Sequence, residues 1–261
     1  VLTKQIGMDP KHIVQLPRHE NFWSTGQPGP AGPCCEWHYD RGPKYGPDAV
    51  GGNVDPGNDR YLELWNLVFD QYMRGEGEGQ DYPLLHELDN KCIDTGAGLE
   101  RMAFVLQDKE NMFEIDEIRP VITKVEELTK LKYTDNNDSE NDVRMRIIAD
   151  HVRSAMMLIN DGVRPGNDGR GYVLRRLVRR AVRSLRLLGI DEAVLPEVFP
   201  VSRDAMAPSY PDLLENWSTI SDVAYGEEES FRRTLDAGTT IFDLAVGRVQ
   251  EATSPGDRAE L

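Results

Sequence analysis

The hydrophobic pattern of the chain changes at Gly98, and this change most limits what the chain can fold into. Before it, residues 61–72 (YLELWNLVFDQY) alternate and are rich in aromatic side chains, which predicts a β-strand. A second, shorter strand is predicted to end at Ile93. The polar stretch between the two (MRGEGEGQDY) favours an antiparallel pair. A small sheet is therefore expected in the first part of the chain.

Beyond Gly98 the apolar residues recur at helical spacing, so the fold class is predicted as α+β. The glycine- and proline-rich residues 26–58 and the polar residues 129–142 are predicted to be turns and loops. The acidic cluster 227–230 is predicted to begin the last helix, because acidic side chains favour a helix N-terminus. Gly189 is predicted to cap an arginine-rich helix. The predicted helical stretches are Leu99–Leu106, 114–131, 143–162, about Tyr172–Leu188 and 224–250.

Composition is that of an ordinary soluble globular protein, with 39% hydrophobic and 29% charged residues. No apolar stretch approaches the roughly 20 residues needed to span a bilayer, and the opening residues do not resemble a signal segment. The three cysteines are too few for a disulfide framework and fit the reducing cytoplasm. Cys34 and Cys35 are adjacent, the wrong spacing for a zinc pair, so no zinc site is predicted. The chain begins with Val1, which suggests a fragment or a processed product.

The charge of the chain is unevenly distributed. The net charge of −15 argues by itself against a nucleic acid partner. However, seven arginines and no acidic residue lie between Arg170 and Arg186, whereas residues 187–261 carry 15 acidic residues against five arginines. A dense arginine stripe on an acidic protein predicts a polyanionic partner. The alternative is that the arginines pair internally with the acidic helices.

The stretch DTGAGLER (94–101) combines three features of a ligand site. Asp94, at the end of a predicted strand, can pair with an ammonium group. Gly96 and Gly98 let a ligand approach the backbone closely, since no Cβ intervenes. Arg101, in the first turn of a helix, can bind two phosphate oxygens at once. The same arrangement can also be merely structural.

DTGAGLER followed by MAFVLQ resembles motif 3 of the class II aminoacyl-tRNA synthetases in its alanyl form. Residues 20–42 resemble the loop and strand that lie between motifs 2 and 3 in that family, and residues 59–72 resemble the strand that follows. The resemblance implies that Asp94 holds the amino group of alanine, and that Arg101 contacts the ATP triphosphate with Gly98 and Glu36 nearby. Without it, Trp23 and Val68 would be interpreted as core residues. The alanine pocket implied by the resemblance is lined by Trp23, Asn66, Val68, Asp94 and Gly96.

The resemblance implies a two-step reaction with ATP and Mg²⁺. The alanine carboxylate attacks the α-phosphorus of ATP, and tRNA then takes the alanyl group, with catalysis resting on positioning and charge neutralisation. Motifs 1 and 2 and an editing domain are not found, so we expect that the chain alone does not activate alanine. Residues 1–113 are expected to be the C-terminal part of the catalytic domain, and residues 114–261 a helical tRNA-recognition domain.

Residues 149–176 resemble the tRNA-recognition region of the same family. The resemblance places Asn167 where an asparagine reads a G·U pair in the acceptor stem of tRNA(Ala); by itself, Asn167 would be interpreted as a turn residue. In the arginine-rich helix, an apolar stripe packs while arginines face away. A non-enzymatic RNA-binding chain remains the alternative function. The predicted tRNA-binding residues are Asn167, Arg170, Arg176, Arg180 and Arg183, with Arg175 and Arg179 flanking them.

Overall fold

The computed structural model describes residues 1–47 and 60–252, which fall into two compact units. The first unit is Val1–Asp108 and the second is Lys109–Leu261. The sequence-based division lies five residues further on, at 113 against 108. As a division into a catalytic and a tRNA-recognition domain, it stays a prediction.

The first unit contains a four-stranded antiparallel sheet in the order β1-β2-β3-β4, which confirms the α+β class and the predicted antiparallel pair. Helix α1 (Leu99–Leu106) follows the sheet as predicted, and Phe104 is its buried residue. Short helical turns at Leu2–Ile6, Pro10–His12 and Pro43–Tyr45 complete the unit. The strands are β1 (Phe22–Ser24), β2 (Gly29–Asp40), β3 (Tyr61–Arg74) and β4 (Leu84–Ala97).

Two sequence predictions about the sheet are wrong. The composition of residues 29–40 predicts turns and loops, but they form β2, which lies between β1 and β3 and fits the strand that the resemblance implies within residues 20–42. The predicted loop residues 48–58 lie outside the described residues. The glycine and proline residues of β2 hide its alternation. The strand is also irregular, with a register shift between Ala31 and Cys34. Strand β4 also continues beyond Ile93 to Ala97, since residues 94–97 pair with β3.

The second unit is a bundle of helices packed around α3 (Glu140–Asn160). The fully buried residues of α3 recur at intervals of three and four, at Met145, Ile148, Val152, Met156 and Ile159, so one face is apolar along its length. Gly189 has a φ of +95° just beyond α4, which confirms the predicted cap. No helix in the described part of the chain is both long and apolar enough to cross a membrane. The other helices are α2 (Arg119–Thr129), α4 (Gly169–Leu187), α5 (Leu195–Met206), α6 (Asp212–Glu215) and α7 (Trp217–Ala252), with a 3₁₀ turn at Met112–Glu114.

The acidic cluster 227–230 does not begin a helix as predicted, because α7 begins at Trp217. Two of its acidic side chains bind neighbouring helices instead. The carboxylate of Glu228 accepts hydrogen bonds from the backbone N–H groups of Val194 (2.9 Å) and Leu195 (3.1 Å) at the start of α5. The N-cap residue of α5, Val194, cannot satisfy these donors, because its side chain forms no capping hydrogen bond. Glu228 therefore supplies the cap from another helix, and burial raises the pKa of its carboxyl group.

Candidate functional site

Strands β2, β3 and β4 bring five predicted alanine- and ATP-site residues together in two rows. Residues directly opposite one another in an antiparallel sheet point to the same face. Each row therefore carries three neighbouring side-chain positions on one face of the sheet. The rows are Cys34–Val68–Asp94 and Glu36–Asn66–Gly96.

The two rows place an apolar wall beside a carboxylate. Val68 is 8% exposed, whereas the neighbouring Asp94 is open to solvent. The Oδ1 atom of Asp94 accepts a hydrogen bond of 2.8 Å from the backbone N–H of Thr95. A Cβ atom at Gly96 would meet no heavy atom within 4 Å, so the space beside the rows is open. The arrangement suits a small ligand with one cationic group and one short apolar group.

A hydrogen-bonded chain fixes the second row. The Oε1 atom of Glu36 accepts a hydrogen bond from Asn66 Nδ2 at 3.4 Å, and Oε2 lies 3.1 Å from His38 Nε2. The carbonyl oxygen of the Asn66 side chain is buried and has no partner among the described residues. A buried acceptor without a partner is costly, and a ligand ammonium group would satisfy it.

Cys34 belongs to the site although it was not predicted there. Burial raises the pKa of the Cys34 thiol, while hydrogen bonds from the Asn66 side chain and the Trp23 backbone act in the opposite direction. These contacts bring the backbone of Trp23 against the first row, and the Trp23 side chain is 39% exposed. Strand alternation, which places Cys34 on the same face as Glu36, is the sequence signal that could have identified it.

Arg101 has a carboxylate partner that the sequence did not reveal. Its Nη1 atom donates to both the backbone oxygen and Oε2 of Glu63, each at 3.0 Å. A Cβ atom at Gly98 would lie 3.3 Å from Cδ of Arg101, so the glycine leaves room for the arginine stem. The Arg101 side chain is 42% exposed. Its guanidinium is thus held at one nitrogen while other donors remain able to reach a phosphate.

A cavity of about 410 Å³ lies next to the rows, between β2 and the N-terminal segment of the first unit. Glu36 is the one predicted site residue among its described lining residues, so the Val68 and Asp94 positions lie outside it. Its lining includes the polar side chains of His38 and Asp40 and the apolar side chains of Leu2, Met8, Ile13, Val14 and Leu16.

The second candidate site lies in the helical unit, where Asn167 is exposed in the loop before α4. Its Oδ1 atom accepts a hydrogen bond from Nη1 of Arg175. The loop packs closely on the first turn of α4, because a Cβ atom at Gly171 would lie 2.6 Å from the backbone oxygen of Arg164. The loop and the helix therefore hold Asn167 at the surface in a defined position.

The arginines of α4 divide into two groups. Arg175 and Arg179 form ion pairs with the buried Glu227, at 3.4 and 2.6 Å, and Arg186 pairs with Asp191 and Asp236. The internal-pairing alternative therefore describes this group. The other arginines are exposed and form no ion pair within the described residues, and the last three share one face of the helix. These are Arg170, Arg176, Arg180 and Arg183.

Comparison with known proteins gives one family. A family model described as tRNA synthetases class II (A) matches residues 1–259. Three curated relatives are named alanine–tRNA ligase. The relative from Clavibacter michiganensis subsp. michiganensis is 55% identical over 245 residues, covering 94% of this chain and 27% of the relative. The relative from Nocardioides sp. is 54% identical over 261 residues, covering 98% of this chain and 29% of the relative. The relative from Bifidobacterium longum is 53% identical over 245 residues, covering 94% of this chain and 27% of the relative. The chain thus spans less than a third of the length of these relatives.

Proposed function

The chain belongs to the class II (A) tRNA synthetase family, and from this premise we propose that it carries the alanine site and the acceptor-stem site of an alanine–tRNA ligase. The observation that carries the proposal is the direct pairing of the buried Val68 with the exposed carboxylate of Asp94. Alanine has an ammonium group for the carboxylate and a methyl group for the valine. The names of the three relatives support the same substrate.

The residues of the two rows account for the binding of alanine. Asp94 pairs with the ammonium group, and the free carbonyl oxygen of Asn66 accepts a second hydrogen bond from it. Val68 limits the size of the side chain. Such a pocket discriminates weakly, because one methyl group is worth about 1–3 kcal/mol and an added hydroxyl group is poorly excluded.

ATP is the second proposed substrate, and Arg101 is the residue that binds its phosphates. Glu63 fixes the guanidinium at 3.0 Å, which orients the remaining donors towards a phosphate. The alanine carboxylate then attacks the α-phosphorus in line, and pyrophosphate leaves. Mg²⁺ would neutralise charge on the triphosphate. No group of three metal-binding side chains occurs among the described residues, but Mg²⁺ on a nucleotide needs only one or two carboxylates, and Glu36 would supply one.

Replacement of Asp94 by asparagine is expected to weaken alanine binding by roughly tenfold or more, because the ammonium group loses its charged partner. Binding is measured by titrating the purified chain with alanine in saturation-transfer NMR. Glu87→Gln is the matched control, since Glu87 lies on the same strand, is exposed and pairs with Lys91. Equal alanine affinity in the wild type and in Asp94→Asn would place the amino group elsewhere.

Replacement of the three exposed arginines Arg176, Arg180 and Arg183 by glutamine is expected to weaken binding to an acceptor-stem minihelix of tRNA(Ala) without lowering stability. The slope of log affinity against log salt concentration should fall by roughly one for each RNA phosphate that the variant no longer neutralises. Both quantities are measured by fluorescence anisotropy at several salt concentrations.

The control for this arginine face is a variant with the same change of net charge on other helices. Arg144 and Arg233 each pair with a glutamate four residues earlier, and Arg248 lies on α7. Their triple glutamine variant should keep the wild-type salt slope. If both triple variants lower the slope equally, the face of α4 is not a specific RNA-binding surface.

A further inference from the structure

A chain of polar contacts links the buried Glu227 of α7 to the exposed Asn167. The Oε1 atom of Glu227 accepts a hydrogen bond from Nε of Arg179 at 2.6 Å and lies 3.4 Å from Nε of Arg175. Nη1 of Arg175 in turn donates to Oδ1 of Asn167. All four residues belong to the unit Lys109–Leu261.

The chain of contacts leaves Arg175 little freedom. A buried carboxylate is costly unless it is paired, so Glu227 holds both arginines. The guanidinium of Arg175 is planar and rigid. Its Nη1 atom donates a hydrogen bond to Asn167, whereas its Nε atom makes an ion-pair contact with Glu227 and has no hydrogen-bond partner among the described residues. The hydrogen bond and the ion pair together restrict its orientation. Arg179 is held independently, because its guanidinium lies 5.0 Å from the centre of the Phe231 ring.

The orientation of Arg175 decides which end of the Asn167 amide faces solvent. A carboxamide carries one acceptor oxygen and an NH₂ group with two donors. Since Arg175 occupies the oxygen, the NH₂ group is the end left for a ligand. In a minor groove the acceptors are the O2 atom of a pyrimidine and the N3 atom of a purine, whereas the amino group of guanine is a donor. A donor can read only the acceptors, and the wobble geometry of a G·U pair shifts these acceptors from the positions that they have in a G·C pair.

We propose that Glu227, acting through Arg175, is a positioning residue that turns the Asn167 amide so that its NH₂ group reads a minor-groove acceptor of a bound RNA duplex. The inference rests on the proposed binding of the acceptor stem. The minor groove of A-form RNA is wide and shallow, so a side chain on a surface loop can reach it. Glu227 affects base preference, while the exposed arginines provide the affinity that is common to all sequences.

The test uses the 261-residue chain and two acceptor-stem minihelices that differ only in a G·U or a G·C pair. In Glu227→Gln the carboxamide keeps the shape but loses the charge that holds Arg175. The ratio of the Kd for G·C to the Kd for G·U should fall by roughly fivefold or more. Affinity for the G·C minihelix should stay within about twofold, because the exposed arginines are unchanged.

Three further variants separate positioning from folding. Arg175→Lys keeps the charge but cannot contact Glu227 and Asn167 together, so it should lose the preference in the same way. Asn167→Asp keeps the bond from Arg175 but presents an acceptor in place of the donor, and it should also lose the preference. Glu229→Gln is the control, since Glu229 is exposed and pairs only with Arg233 among the described residues. Circular dichroism confirms that each variant is folded.

The outcomes distinguish this inference from the proposed function. A wild-type chain that binds neither minihelix overturns the proposed acceptor-stem binding, and the inference with it. A wild-type chain that binds both minihelices equally leaves RNA binding intact but overturns the role of Asn167 and Glu227 in base preference. A preference that survives in both Glu227→Gln and Arg175→Lys overturns the positioning role alone.

Discussion

Replacement of Gly32 by alanine is expected to unfold the sheet of the first unit. A Cβ atom at this position would lie 1.6 Å from the backbone oxygen of Phe69 and 2.6 Å from its carbonyl carbon. Both atoms belong to the backbone of β3, so no side-chain movement can relieve the overlap. Strand β2 would have to separate from β3. Overpacking usually costs about 1–3 kcal/mol, but a backbone displacement of this size should exceed about 4 kcal/mol.

Urea unfolding and hydrogen exchange resolved by peptide measure this effect. The amides of β2 and β3 should lose protection in Gly32→Ala, whereas those of α3 and α4 in the second unit should keep it. Gly96→Ala is the matched control, because a Cβ atom there meets nothing within 4 Å. It should leave the sheet folded and weaken only the binding of alanine, since its methyl group enters the proposed pocket. Wild-type protection of β2 in Gly32→Ala would contradict the close approach of the two strands.

The same glycine shows why composition predicted loops where β2 lies, so that only the family resemblance implied a strand there. Alternation identified β3, whose aromatic and apolar residues carry the signal locally. In β2 Gly32 is required by the neighbouring backbone of β3 rather than by burial on one face, and the glycines and prolines around it hide the alternation. A strand that depends on the approach of another strand cannot be recognised from its own pattern.

The helices were predicted better because their signal is local. The buried residues of α3 recur with the period of a helix, and Gly189 marks the end of α4 by its own backbone conformation. The start of α7 is predicted seven to ten residues too late, at 224–227 against 217. Glu227 forms ion pairs with arginines of α4, and Glu228 caps the start of α5, so neither residue caps its own helix. The position of a charged residue in the sequence does not show which neighbouring helix its side chain binds in the fold.

The candidate site was predicted through family resemblance, and the structure adds the partners. Cross-strand register brings Val68 opposite Asp94, and Asn66 opposite Gly96. The sequence could not reveal Glu63 as the partner of Arg101, because their contact spans 38 residues. Likewise, the arginines of α4 look equivalent in sequence. Their division into paired and exposed groups depends on α7 lying beside one side of the helix.

Replacement of Asp142 by alanine is expected to destabilise the second unit by about 3–5 kcal/mol, because it leaves buried donors without an acceptor. Asp142 is fully buried at the start of α3. Its Oδ2 atom accepts hydrogen bonds from the backbone N–H groups of Thr134 (3.0 Å) and Asn136 (2.8 Å) and from the hydroxyl of Thr134 (2.8 Å). One carboxylate oxygen therefore anchors the loop between α2 and α3. Urea unfolding of this unit measures the effect.

The same carboxylate predicts a dependence of stability on pH. Burial alone would raise the pKa of Asp142, but the hydrogen bonds from Asn136 and Thr134 lower it below the usual value of 3.8. Because the pKa is lower in the folded state, this stabilisation is present above the unfolded value and is lost as the pH falls through the folded one.

Asp142→Asn separates this contribution from that of the other carboxylates. The asparagine keeps one acceptor oxygen but cannot titrate, so the variant should be less stable at neutral pH and should lose less stability in acid than the wild type. Asp138→Asn is the control, because Asp138 lies in the same loop, is exposed and, within the described part of the chain, contributes only its backbone N–H, to Asn136. Parallel acid profiles for Asp142→Asn and the wild type would show that the loop is anchored by the neutral form of the carboxyl group.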